Sequence, residues 1–176
     1  MGYDIVTVEA DEAKAQKFAA KYNYSYLFDK TTGKWDGGEQ VYFRANIWGM
    51  SIIRGTQYSL CYVTNMTDAD TEDWMEAMSW NDGRIIDADK IARFLDKVDE
   101  LSRGQDLESY VRPLVVETVT SSWDEKYDGE INTMVDGKFV TKKYTIEDKV
   151  NDCMPLVLEW LDYIRIAKDL GGFQVW

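Results

Sequence analysis

Short runs of β-branched and aromatic residues stand at both ends of the chain, and helical patterns fill most of the sequence between them. Residues 3–8 read YDIVTV, and residues 173–176 read FQVW. Runs of this composition are typical of strands. We expect the two terminal strands to pair with each other in one sheet beneath the helices. The sequence therefore predicts an α+β fold that is predominantly helical and has a small antiparallel sheet.

Apolar residues recur at the spacing of an α-helix in several segments between the two ends. Residues that accept hydrogen bonds from free backbone N–H groups precede these segments, as is typical of helix starts. The predicted helices begin at Asp11, at Thr67 or Thr71, at Asp87 or Asp89, at Asp106 and at Thr145, and a further one covers residues 48–63. Pro113 is expected to kink or divide its helix, and Pro155 to kink its helix or mark the true start.

A hairpin is predicted near residues 131–143 and adds to the antiparallel structure. Asp136-Gly137 separates two β-rich runs, and this dipeptide suits the two-residue turns that join antiparallel strands. Residues 41–47 indicate a further strand. With 176 residues and no internal repeat, the chain is expected to form a single globular domain over residues 1–176.

Acidic residues outnumber basic ones by 32 to 20, which gives a formal net charge of −12. A chain of this charge repels phosphate backbones and anionic membranes, so we expect neither direct nucleic-acid binding nor membrane binding. The sequence shows no secretion signal and no long apolar segment, and Cys61 and Cys153 are interpreted as buried thiols. These observations predict a cytoplasmic protein with a protein partner, and they favour a basic one.

The chain contains no histidine. This excludes the Ser-His and Cys-His nucleophile pairs and removes the commonest zinc ligand. The sequence has no phosphate-binding glycine loop, and the acidic residues of 67–76 lack the spacing of a calcium-binding EF-hand. We therefore predict no catalytic residues, no metal ligands and no cofactor, and an enzyme is the less favoured interpretation.

Two short segments form the candidate ligand-binding site. In the first, Arg44 and Asn46 alternate with apolar residues, so on a strand their side chains would share one face. A guanidinium beside an amide suits a carboxylate or a phosphate. The second segment is the turn-forming WNDGR at residues 80–84. The hypothesis is one pocket formed by Arg44, Asn46, Trp48, Trp80, Asn81, Asp82 and Arg84. The alternative is an ordinary half-buried strand and a plain turn.

Four motifs of the chain resemble a loosely defined group of bacterial and phage proteins. They are the opening MGYD, the central YFRANIWGM, the NDG of WNDGRI and the closing GGFQVW. No activity is established for the group, so the resemblance implies no catalytic residues and indicates a bacterial or phage accessory protein. Trp80 stands where the group is expected to have serine.

Three functions are left as hypotheses. The favoured one is a non-enzymatic binding protein, of the immunity or counter-defence type, that meets a basic partner with its acidic and aromatic surface. The second is a protein that binds or sequesters a small molecule, such as a nucleotide or a metabolite. The third is a hydrolase that uses carboxylates alone, which needs an acid of raised pKa in a cleft beside a second acid.

Overall fold

The computed structural model describes residues 2–80 and 82–176, which form seven α-helices, six strands and a short 3-10 helix. The strands are β1 (Gly2–Thr7), β2 (Tyr42–Asn46), β3 (Ile85–Asp87), β4 (Glu130–Val135), β5 (Lys138–Lys143) and β6 (Gly172–Val175). The α-helices are α1 (Glu12–Lys21), α2 (Ile47–Val63), α3 (Asp68–Ala77), α4 (Ala88–Leu101), α5 (Leu107–Ser122), α6 (Glu125–Asp128) and α7 (Ile146–Lys168). The fold is α+β and predominantly helical, as predicted.

A four-stranded antiparallel sheet joins the two ends of the chain. Its strand order is β2-β1-β6-β3, so the terminal strands β1 and β6 lie side by side at its centre. Ile5 opposes Val175 and Thr7 opposes Phe173 in this pair. The predicted pairing of the chain ends is therefore confirmed.

The buried face of the sheet packs against α7. Trp160 of α7 lies against Phe43 of β2 and Phe173 of β6, with ring centroids 5.4 and 5.3 Å apart. Aromatic rings of this size contribute strongly to a core, because each buries a large apolar area. Thr145 fixes the start of α7: its hydroxyl accepts a hydrogen bond from the Asp148 N–H, and the Asp148 carboxylate accepts one from the Thr145 N–H.

Both prolines lie inside continuous helices. Helix α5 runs through Pro113 and α7 runs through Pro155, so a division at Pro113 and a start at Pro155 are both wrong. A proline has no N–H and leaves the carbonyl four residues earlier without its helical partner. Both prolines stand on the exposed sides of their helices, where water can bind the freed carbonyls. The buried sides continue to pack.

Strands β4 and β5 form the hairpin predicted near residues 131–143, and they make a separate two-stranded sheet. Asp136 and Gly137 both have positive φ angles, as the tight turns of two-residue hairpins require. Nearly every hairpin side chain is exposed, on both faces of the small sheet. Within the described ranges, no helix combines the length and the apolar character that crossing a membrane requires.

Candidate functional site

Helix α2 presents a row of aromatic side chains to solvent. Its inner face is buried, whereas Trp48, Tyr58 and Tyr62 are 82%, 57% and 78% exposed. Side chains three, four or seven residues apart fall on one side of a helix, so these three lie on one outer face together with Ser51 and Gly55. Aromatic side chains gain more than most from burial, so a row of them in solvent marks an uncovered surface.

A cavity lies where this row begins. It has a volume of about 780 Å³ and is bounded by the start of α2, the end of α5, α6 and the middle of α7. Trp48, Ile52 and Leu156 form its apolar walls. Gly49 brings two of these walls together, because a Cβ atom at this position would lie 2.7 Å from Cδ2 of Leu156. The first turn of α2 therefore packs closely on α7.

Asn46, Asp128 and Lys149, three polar residues of this cavity, are paired within the protein. The side-chain oxygen of Asn46 caps α2 by accepting a hydrogen bond of 2.7 Å from the Gly49 N–H. Lys149 forms an ion pair of 2.8 Å with Asp128 and lies over the ring of Trp123. The hydrogen bond from Lys149 lowers the pKa of the Asp128 carboxyl, which keeps this acid ionised. These groups hold the walls in place.

Two further cavities continue along α2. The second, of about 410 Å³, is lined by Ser51, Arg54, Gly55, Tyr58 and Met75. The third, of about 360 Å³, is lined by Tyr58, Tyr62, Asn65, Met66, Asp68 and Thr71. The first and second cavities share Ser51, and the second and third share Tyr58. We call this continuous surface from Trp48 to Tyr62 the α2 groove. At 1.5 Å per helical residue, it is about 21 Å long.

Cys153 is half-buried in the wall of the first cavity. Burial raises the pKa of its thiol, so the thiol stays protonated at neutral pH and is a poor nucleophile. Cys61 is fully buried, and burial raises the pKa of its thiol to about 11. Both cysteines are free. Cys61 fits the interpretation as a buried thiol, whereas Cys153 is only partly enclosed.

One partly buried acid lies outside the groove. Glu159 of α7 accepts a hydrogen bond from the Tyr24 hydroxyl, and burial raises the pKa of its carboxyl. Asp162 stands one turn later, where it accepts hydrogen bonds from Lys21 and Tyr22. Glu159 therefore has the raised pKa that a carboxylate hydrolase needs. Glu159 lines none of the three cavities of the groove, and the Asp162 carboxylate is hydrogen-bonded to Lys21 at the end of α1.

The first predicted segment is only partly in the groove. Arg44 and Asn46 share the exposed face of β2, as expected for a strand. Asn46 and Trp48 line the first cavity. Arg44 instead lies over the open face of the sheet, where its Nε is 3.6 Å from a carboxylate oxygen of Asp4. Tyr42 donates a hydrogen bond to the same carboxylate, so Arg44 belongs to a surface cluster of its own.

The second predicted segment lies at the opposite edge of the sheet. Trp80 is exposed, and Arg84 pairs with Glu76 and Asp82. Asn81 lies outside the described residues. The edge strands β2 and β3 are three strand spacings apart, which is about 14 Å. The structure therefore brings Asn46 and Trp48 together but places residues 82–84 elsewhere.

Gly83 has a clear structural role. The Gly83 N–H donates a hydrogen bond of 2.9 Å to the Val175 carbonyl. Gly83 has a φ of +75°, and a Cβ atom there would lie 2.5 Å from the ring of Trp176. Only glycine meets both conditions without strain. Gly83 thus binds the last strand and lets the ring of Trp176 pack closely against the backbone.

Ser51, Arg54, Tyr58 and Tyr62 are site residues that were not predicted. A signal is present for Ser51, Tyr58 and Tyr62, because positions 48, 55 and 62, and positions 51 and 58, repeat at seven-residue spacing and share a helix face. Sequence periodicity cannot show whether another element covers that face. Here α3 and α5 flank α2 without closing over it.

The chain matches no family model, no curated protein and no solved structure. Among residues 2–80 and 82–176, no group of three or more Cys, Asp or Glu side chains is placed to hold a metal ion. Functional inference therefore rests on the geometry of the α2 groove. That geometry is an elongated, aromatic and largely preformed surface.

Proposed function

We propose that this protein is a non-enzymatic binding protein whose α2 groove holds a segment of a basic partner protein. The observation that carries the proposal is the row of exposed side chains Trp48, Tyr58 and Tyr62 along one continuous groove. Tyrosine and tryptophan dominate the energetic centres of protein interfaces, because each buries a large area with few rotatable bonds.

The length of the groove fits a chain segment. About 21 Å accommodates about six residues of an extended segment or about four turns of a helix. Interfaces of this kind use a few deeply placed side chains as anchors, and the three cavities supply separate places for them. A flat aromatic patch would not offer separate places for anchoring side chains.

Charges beside the groove favour a basic partner. Asp68 lines the third cavity at the start of α3, and the exposed Glu72 follows one turn later. Asp152 lines the first cavity at the other end. With a net charge of −12 on the whole chain, the protein attracts basic surfaces at long range, and such attraction speeds encounter and orients the partner.

A small-molecule ligand is the second candidate, and the size of the first cavity favours it. A volume of about 780 Å³ falls within the usual range of about 300–1,000 Å³ for ligand sites. The cavity combines apolar walls with a few fixed polar groups, as such sites do. A ligand that raised the melting temperature of the wild type but not of a Trp48→Ala variant would support this candidate.

Affinity capture from a bacterial lysate tests the proposal. The baits are the wild type, Trp48→Ala/Tyr62→Ala, and Trp80→Ala as a control for an exposed tryptophan remote from the groove. We expect one protein of high isoelectric point to be captured by the wild type and by Trp80→Ala, and to be lost with the groove variant. Capture should weaken from about 50 mM to about 500 mM NaCl, because salt screens exposed charges.

Two results would count against the proposal. A captured protein that binds the groove variant as well as the wild type would show that the groove is not the interface. Capture that does not change with salt would contradict the proposal that the partner is basic, since the charges around the groove would then contribute nothing to association.

A further inference from the structure

Arg54 stands at the middle of the α2 groove. It lies one turn after Ser51 and one turn before Tyr58, so the three side chains share one side of α2. All three line the second cavity, together with Gly55 and Met75. The second cavity therefore has one arginine and two hydroxyl-bearing residues along the same side of α2.

Arg54 differs from the other arginines in being half-buried and yet forming no ion pair within the described ranges. Five of them pair with carboxylates: Arg44 with Asp4, Arg84 with Glu76, Arg93 with Asp70, Arg112 with Glu147, and Arg165 with Asp99. Arg103 also forms no ion pair within the described ranges, but its side chain is exposed. Arg54 is half-buried, its Nε is buried without a hydrogen-bond partner, and it forms no ion pair with any residue of the described ranges.

This isolation is costly to the folded protein. A buried N–H donor that loses its hydrogen bond to water without gaining an acceptor destabilises the fold, and the Nε–H of Arg54 is such a donor. The chain has 32 acidic residues, yet within residues 2–80 and 82–176 none forms an ion pair with Arg54. Groups kept in this unfavourable state are typical of sites that bind a ligand, where stability is lower than it could be.

We propose that Arg54 is the carboxylate-binding residue of the α2 groove, with the hydroxyls of Ser51 and Tyr58 as neutral donors beside it. A planar guanidinium binds a carboxylate through two parallel hydrogen bonds. The site offers one positive charge within a strongly acidic protein, which matches a monoanion better than a phosphate dianion. This inference rests on the proposed function, since the carboxylate belongs to the segment in the groove, as a side chain or as a chain terminus.

Small probes test the site on the isolated protein. N-acetylglycine carries a terminal carboxylate, propionate mimics an acidic side chain, and N-acetylglycinamide is a neutral match. We expect the two carboxylates to shift the Arg54 Nε–H resonance in a saturable manner at constant ionic strength, and the amide to leave it unchanged. Stronger binding of one carboxylate identifies the source that the groove prefers. Arg54→Lys should weaken carboxylate binding at least fivefold, because an ammonium cannot donate the two parallel hydrogen bonds that a guanidinium donates.

A stability measurement separates a ligand-binding role from a structural one. Arg54→Met keeps the apolar stem and removes the charge, so its melting temperature without ligand should rise by about 2 °C or more. Arg103→Met, at an exposed position, should change neither readout. The inference would be overturned if the carboxylates bound no better than the amide, or more weakly than inorganic phosphate. It would also be overturned if the Arg54→Met variant melted at or below the wild-type temperature. These two tests need no partner protein, so their results do not depend on whether the affinity capture succeeds.

Discussion

Gly55 of α2 lies directly against Thr118 of α5. A Cβ atom added at Gly55 would be 2.5 Å from Cγ2 of Thr118, much closer than the 3.5–4.0 Å at which carbon atoms attract. Thr118 is held in place, because its hydroxyl donates a hydrogen bond of 2.9 Å to the Leu114 carbonyl. This contact sets how closely α5 approaches the middle of the α2 groove.

We expect Gly55→Ala to lower the free energy of unfolding by about 1 kcal/mol. Alanine gains about 1 kcal/mol in helix propensity, but overpacking costs about 1–3 kcal/mol and outweighs it. Thr118→Ser removes Cγ2 and keeps the hydroxyl, so adding Gly55→Ala to that variant should be neutral or stabilising. Urea denaturation of the two single variants and the double variant measures this coupling, and purely additive effects would contradict the contact.

Gly172, at the start of β6, is expected to tolerate no side chain. Its φ is +108°, and a Cβ atom would overlap the carbonyl oxygen of Ile86, a backbone atom of the neighbouring strand. Gly172→Ala should therefore cost about 3 kcal/mol or more, because strain and collision add. Gly104→Ala is the control, since Gly104 also has a positive φ but open space around it. Equal losses in thermal unfolding would show that the collision is absent.

The hairpin of β4 and β5 is expected to be dispensable for folding. Its side chains are exposed on both faces, and an isolated two-stranded sheet adds little stability in water. Glu130 and Lys143 oppose each other, so an Asn-Gly turn can replace residues 131–142 between them. We expect the free energy of unfolding to change by less than about 1 kcal/mol. A large loss in a thermal melt would show that the hairpin packs on the body of the protein.

Local signals in the sequence located most helices. Of the alternative starts, Thr67 and Asp87 are the capping residues observed, and Asp11, Asp106 and Thr145 cap helices as predicted. Caps are readable because a side chain bonds a backbone group three residues away. Strand β3 was not predicted, because three residues followed by a helix cap carry too little pattern to indicate a strand.

The candidate site was harder to predict, since it depends on how elements are arranged in space. Asn46 and Trp48 were predicted and do line the groove. The prediction that residues 80–84 would join the same pocket depended on the order of the strands in the sheet, which no local pattern gives. Arg54 was overlooked for a related reason: its significance is the lack of an acid nearby, and this can be seen only once α3 and α5 are placed around it.

Glu159 makes the stability of the protein depend on pH in a defined direction. Burial is the main cause that raises the pKa of its carboxyl above the ordinary 4.5, although the Tyr24 hydroxyl donates to it. A carboxyl with a raised folded-state pKa holds its proton more tightly in the folded protein than in the unfolded chain. Its contribution is therefore fully present below pH 4.5 and is lost as the pH rises through the folded-state value.

Glu159→Gln keeps the shape and the acceptor for Tyr24 but cannot ionise. Relative to the wild type, we expect its stability to improve as the pH rises from about 4 to about 7, because only the wild type has to place a carboxylate in this half-buried position. At pH 7 the variant should be at least as stable as the wild type in urea denaturation. Glu117→Gln, on the exposed side of α5, is the matched control for removing one negative charge. If the Glu159→Gln variant instead lost stability as the pH rose, the ionised carboxylate and its bond to Tyr24 would be stabilising the fold, which is the opposite of what burial predicts.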